Sequence, residues 1–101
     1  MQKLRVVMKR PDSKPYVTNI SPSLQNLQNI VGGYTETVTL FEDVVIICNE
    51  EGRLQGLDYN CEVLGISFVG TIIFAGYKDD ELTDLPGDFK DFKKVFSNLF
   101  E

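Results

Sequence analysis

The chain has no histidine and no tryptophan, only two cysteines, and no apolar run near the roughly 18 residues of a membrane span. Each absence removes a class of chemistry. Without histidine there is no imidazole base, no Ser-His or Cys-His pair and no histidine-bearing zinc site. Cations are scarce too: ten lysines and arginines face fifteen aspartates and glutamates, a net charge of −5 over 101 residues. That balance opposes binding to the phosphate backbone of long nucleic acids. The start, Met1 to Arg10, is a short alternating segment broken by Pro11. It lacks the apolar core of a signal peptide, so a cytoplasmic protein with reduced thiols is expected.

What remains is an ordinary globular composition, 43% hydrophobic and 25% charged. A length of 101 residues suits one domain with one modest core. The charge is unevenly distributed. Lys3, Arg5, Lys9, Arg10 and Lys14 oppose only Asp12 in the first fourteen residues, about +4, while the rest carries five cations against fourteen anions, about −9. Two readings stand: solvated strand edges that happen to be basic, or a cationic surface for an anionic ligand.

Periodicity gives the elements. Leu4–Met8 and Pro15–Ile20 read as strands of a hairpin around Arg10-Pro11-Asp12-Ser13. Ser21 reads as an N-cap with Pro22 at the first helical position. Leu24, Leu27, Ile30 and Val31 then share one helical face, and Gly32 stands where a left-handed residue ends a helix of about ten residues. Thr35, Thr37 and Thr39 alternate with Glu36, Val38 and Leu40. Glu36 is thus expected in solvent at a sheet edge, or partly buried against a partner.

Val44-Val45-Ile46-Ile47-Cys48 is a continuous β-branched run, the mark of a central strand buried on both faces, and Cys48 reads as a core residue rather than a nucleophile. Asn49–Gly52 reads as a turn, Arg53–Leu57 as a short return segment and Asp58–Cys61 as a loop. Gly70–Gly76 makes a second interior strand, followed by the acidic loop Asp79-Asp80-Glu81. From Asp88, the residues Phe89, Phe92, Val95, Phe96, Leu99 and Phe100 mark a second amphipathic helix opposite Lys90, Lys93 and Lys94. Its aromatic stripe packs on a sheet or forms an oligomer surface. The expected fold is a single α+β domain, a mostly antiparallel sheet of four to six strands with two amphipathic helices.

No pair of carboxylates converges by spacing, so no catalytic residues are assigned and no enzyme is expected. Asp79-Asp80-Glu81 with Asp84 and Asp88 lacks the spacing of a calcium loop, and no metal or cofactor is assigned. Gly32-Gly33-Tyr34 is either a helix cap or a backbone nest for an anion with a ring beside it.

Lys14-Pro15-Tyr16-Val17, the helix Leu24–Val31 running into Gly32-Gly33-Tyr34, and Ile47-Cys48-Asn49-Glu50-Glu51-Gly52-Arg53-Leu54-Gln55-Gly56-Leu57 form an ordered set with Asn60, Gly70-Thr71 and Leu82-Thr83-Asp84-Leu85. Together they resemble the domain-of-unknown-function family numbered 3846, small proteins of phages, plasmids and other bacterial mobile elements. The resemblance implies a setting and carries over no catalytic residue. It implies a non-enzymatic binding protein that counters host defence, by sequestering an anionic nucleotide-like molecule or by inhibiting a host protein. A small regulatory domain without a ligand is the remaining reading. Gly32, Gly33, Tyr34, Asn49, Glu50, Arg53 and Asn60 flank the central apolar segments, where pockets open, and are the expected ligand residues. A homodimer is expected, since so small a domain builds a deep pocket more easily between subunits.

Overall fold

In a computed structural model that describes residues 3–101, eight strands and two helices follow the order β1 (Leu4–Lys9), β2 (Tyr16–Ile20), α1 (Leu24–Val31), β3 (Thr35–Phe41), β4 (Val44–Asn49), β5 (Tyr59–Val63), β6 (Ile66–Val69), β7 (Ile72–Lys78), β8 (Glu81–Thr83) and α2 (Phe89–Val95). A 3-10 turn, Ser97–Phe100, closes the chain. The main sheet is antiparallel with order β2-β1-β7-β4-β3, and β8 pairs with β7 at Gly76–Lys78. A separate two-stranded sheet is formed by β5 and β6. The radius of gyration is 12.6 Å, what one compact unit of this length requires. Among the described residues no helix is long and apolar enough to cross a membrane.

The two apolar runs lie side by side at the centre. Alternation in β4 and β7 sends successive side chains to opposite faces. Val45, Ile47, Ile73 and Ala75 join Val6 and Met8 under α1, which contributes Leu27 and Val31. Ile46, Cys48, Ile72 and Phe74 join Val7 on the other face, covered by β5–β6, α2 and the closing turn. That second face is aromatic. The Phe74 ring meets Phe92 edge-on with centroids 4.9 Å apart, and Phe92 lies 4.8 Å from Phe96. The aromatic stripe is therefore sheet-packing core.

Helix α1 starts later than its sequence suggests. Ser23, not Ser21, is the N-cap: its hydroxyl accepts from the Asn26 amide at 3.2 Å, and Pro22 precedes the cap. Both serines qualify chemically, and the eight-residue register that aims Leu27 and Val31 at the sheet selects the later one. Leu24, in the first turn, is exposed. The end is as expected, with Gly32 left-handed at φ 82°.

Helix α2 opens on a reciprocal capping box between Asp88 and Asp91. It stops at Val95, and Leu99 and Phe100 belong to the 3-10 turn; Val95 itself faces solvent.

Two local expectations are corrected. Residues 51–56 are successive turns, with the Gln55 amide on the Glu51 carbonyl at 3.0 Å, where the sequence predicts a turn ending at Gly52 and a short return segment over Arg53–Leu57. The segment around Tyr59-Asn60-Cys61 is a strand, because Leu64 (φ 50°) and Gly65 (φ 82°) form a tight left-handed turn that folds it onto β6. The acidic run divides similarly: Asp79 and Asp80 make the β7–β8 turn with positive φ, and Glu81 begins β8.

Candidate functional site

Three hollows open around the sheet end where β4 finishes and β3 begins, and along its flank. Asn49 occupies the last position of β4, opposite Thr35. Its side chain is buried, and its Nδ2 donates to the Val31 carbonyl at 3.1 Å and to Gln55 Oε1 at 3.0 Å, while its Oδ1 accepts from the Glu51 amide at 2.8 Å. Asn49 thereby ties the end of α1 and the 51–56 turns to the central strand. Gly33 is required by this brace: a Cβ there would stand 2.9 Å from Asn49 Nδ2.

The Gly32 and Gly33 amides both donate to the Gln28 carbonyl, at 2.8 and 3.1 Å. They complete the helix terminus, so the backbone nest read as an alternative is not formed. Tyr34 is exposed at 66%, and its carbonyl accepts from the Glu50 amide. Together with Gln28, Asn29, Glu51 and Gln55, these residues line a shallow hollow of about 430 Å³ whose one charged side chain is a carboxylate.

Glu50 and Arg53 line a different and larger space, a cleft of about 470 Å³ between β3 and β6. Its floor is Val38, Cys48, Phe68 and Val69; its rim carries Glu36, Glu50, Glu51, Arg53, Leu54 and Ile66. Glu36 is solvent-exposed, as the edge reading expects. The Arg53 guanidinium donates to the Ser67 carbonyl at 2.8 Å, fastening the turns to β6. Three carboxylates against one guanidinium give the cleft a negative field, suited to cations rather than phosphates. The Cys48 thiol at its floor is pushed up to about 11 by burial and then by the Glu36 carboxylate, so it is not a ready nucleophile.

Asn60 lies in neither of these but lines a third hollow of about 370 Å³ with Lys9, Tyr59, Glu62 and Asn98. It is buried on β5, its Oδ1 accepting from Lys9 Nζ at 2.7 Å and its Nδ2 donating to the Lys9 and Gly70 carbonyls at 2.9 and 2.6 Å. The seven expected ligand residues thus occupy three places, and both asparagines work as internal braces. Among the described residues every buried side-chain nitrogen and oxygen has a partner, and no group of three or more cysteines, aspartates or glutamates is placed to hold a metal.

The basic start of the chain also divides. Arg5 donates to the Leu85 and Gly87 carbonyls at 2.6 and 2.8 Å, and its amide donates to Asp84 Oδ1, so it anchors the segment after β8. Lys9 is buried against Asn60. Lys3, Arg10 and Lys14 stay in solvent. Lys9 was detectable in principle, since strand alternation places it on the same face as Val7.

Fold and sites define a small α+β protein, a six-stranded antiparallel sheet covered by one helix on one face and by a hairpin and aromatic helix on the other. The chain belongs to the family described as a domain of unknown function, DUF3846, whose model matches residues 3–97. No curated protein and no solved structure matches it.

Proposed function

We propose that the protein is a non-enzymatic binding protein of the bacterial host cytoplasm that counters host defence by holding a host protein. It receives an extended segment of that partner, bearing lysine or arginine alternating with apolar residues, along the edge of β3. One observation carries this reading: among the described residues the seven-residue β3 is paired only with β4, and its Glu36 and Val38 line the acidic, apolar-floored cleft. Strand addition would satisfy the free edge groups, and alternate side chains of the guest would enter the cleft. Glu36 is the only charge on that edge strand, which carries no lysine or proline of the kind that usually guards an edge. The mobile-element setting rests on the family resemblance. Sequestration of an anionic nucleotide at Gly32-Gly33-Tyr34 has less support, because both glycine amides are committed and Glu51 lies beside them.

Fluorescence anisotropy with a short labelled peptide alternating lysine and valine tests the reading. Binding should weaken about two- to fivefold with Glu36→Gln or Glu50→Gln, the range expected for single exposed charges. It should vanish when prolines replace alternate valines. Equal binding of a glutamate–valine peptide would overturn the proposal. So would a mass of twice 11.4 kDa on light scattering with β3 protected from hydrogen exchange, which would put a second copy on that edge.

A further inference from the structure

Another hollow lies away from the acidic cleft and has the opposite chemistry. Lys14, in the β1–β2 connection, and Lys93, on α2, line one space of about 380 Å³ together with Pro15, Phe89, Ser97 and Phe100. No carboxylate is among these residues, in a protein whose net charge is −5. Neither lysine has an ion-pair partner among the described residues.

Lys93 is held in place by rings. Its Nζ lies 5.1 Å from the Phe89 centroid and 5.6 Å from the Phe100 centroid, within cation–π range of both. Those two rings meet edge to face with centroids 5.9 Å apart. Pro15 is buried and favours extended backbone at the residue before it, which limits where Lys14 can reach. Two cations separated by most of the chain are therefore brought to one wall of aromatic and pyrrolidine surface, with the Ser97 hydroxyl beside them.

We infer that this hollow binds a small aromatic anion of the nucleoside-phosphate class. Its phosphate meets Lys14 and Lys93, and its ring lies on Pro15, beside the Phe89–Phe100 pair that Lys93 covers. Charge and apolar contact are both needed: two exposed lysines alone hold phosphate weakly in water, while the wall alone does not distinguish one planar molecule from another. The volume stands near the lower end of small-ligand sites, enough for one nucleotide lying partly in solvent. This site is separate from the β3 edge, so it stands or falls without the protein-binding reading.

Calorimetry of the full chain with ADP, adenosine and inorganic pyrophosphate tests the inference. ADP should bind, with adenosine and pyrophosphate each at least about tenfold weaker, because each lacks one of the two contacts. Lys14→Gln and Lys93→Gln should each weaken ADP by about three- to tenfold, and added salt should weaken it further. Both lysines are exposed, so the variants should unfold at the wild-type temperature. Absence of ADP heat at millimolar concentration would overturn the inference. Equal binding of pyrophosphate and ADP, or unchanged affinity in both variants, would do the same.

Discussion

Two Cys/Asn pairs stand at the end of the sheet where β7 begins, Cys48-Asn49 on β4 and Asn60-Cys61 on β5. In both, the asparagine is buried and makes three hydrogen bonds inside the protein. They differ in what they hold. Asn49 bonds neutral groups, two carbonyl oxygens and an amide, with the Glu36 carboxylate acting on its cysteine neighbour. Asn60 holds the Lys9 ammonium, which also acts on Cys61. The same residue type, at the end of a strand in the main sheet and near the start of one in the small sheet, thus makes one neutral brace and one charged brace. A buried charge raises the stakes, because removing its partner leaves the Lys9 ammonium only the longer bond to the Arg10 carbonyl at 3.4 Å.

The largest effect should come from Asn60→Ala, which deprives buried Lys9 of its nearest acceptor and two carbonyls of a donor. Urea denaturation should show a loss of about 3–4 kcal/mol. Adding Lys9→Met should recover a substantial part of it, since the charge that needed a partner is gone. If Asn60→Ala costs less than Asn49→Ala, the distinction between the braces fails.

Asn49→Ala should cost about 2 kcal/mol, the price of neutral groups left unpaired. Hydrogen exchange should accelerate in residues 51–56, which the side chain fastens to β4, while the β1–β7 ladder stays protected.

The smallest effect separates the two thiols by pH. Burial raises both above their ordinary value; the Glu36 carboxylate pushes Cys48 further, to about 11, whereas the Lys9 ammonium partly offsets the rise at Cys61. A raised thiol favours folding while it is protonated. That contribution is complete below pH 9.0, the ordinary value, and is lost as pH climbs toward 11. Stability should therefore fall over that interval, by about 1–2 kcal/mol from Cys48. Cys48→Ala should flatten the fall more than Cys61→Ala, and a reversed order in denaturation midpoints would contradict the assigned fields.

The sequence showed the parts of the fold that depend on local pattern. The runs in β4 and β7 read as interior strands because β-branched residues without polar interruption suit burial on both faces. Gly32 marked a helix end through chemistry that is itself local, whereas of two chemically suitable serines Ser21 reads as the cap that Ser23 provides. The β5 strand was harder, since Asp58, Tyr59 and Asn60 look like a turn, and its pairing depends on the Leu64-Gly65 reversal. The site was harder still. Two glycines after a helix can make a cap or a nest, and only the direction of their amides toward Gln28 decides it. Asparagines beside apolar strands suit a ligand and a brace equally well. Lys14 and Lys93 carry no sequence signal linking them, for their proximity is produced by the packing of α2 under the sheet.

The strand order has a consequence for the order of events in synthesis. β1–β2 and β3–β4 are each antiparallel pairs of neighbouring strands, yet among the described residues only β7 joins one pair to the other in the sheet. A growing chain can close both hairpins early, but they remain unlinked until residues 72–78 leave the ribosome. Until then the inner edges of β1 and β4 stand open together. The protein's assembly is therefore a late event, completed when one strand slides between two that are already waiting.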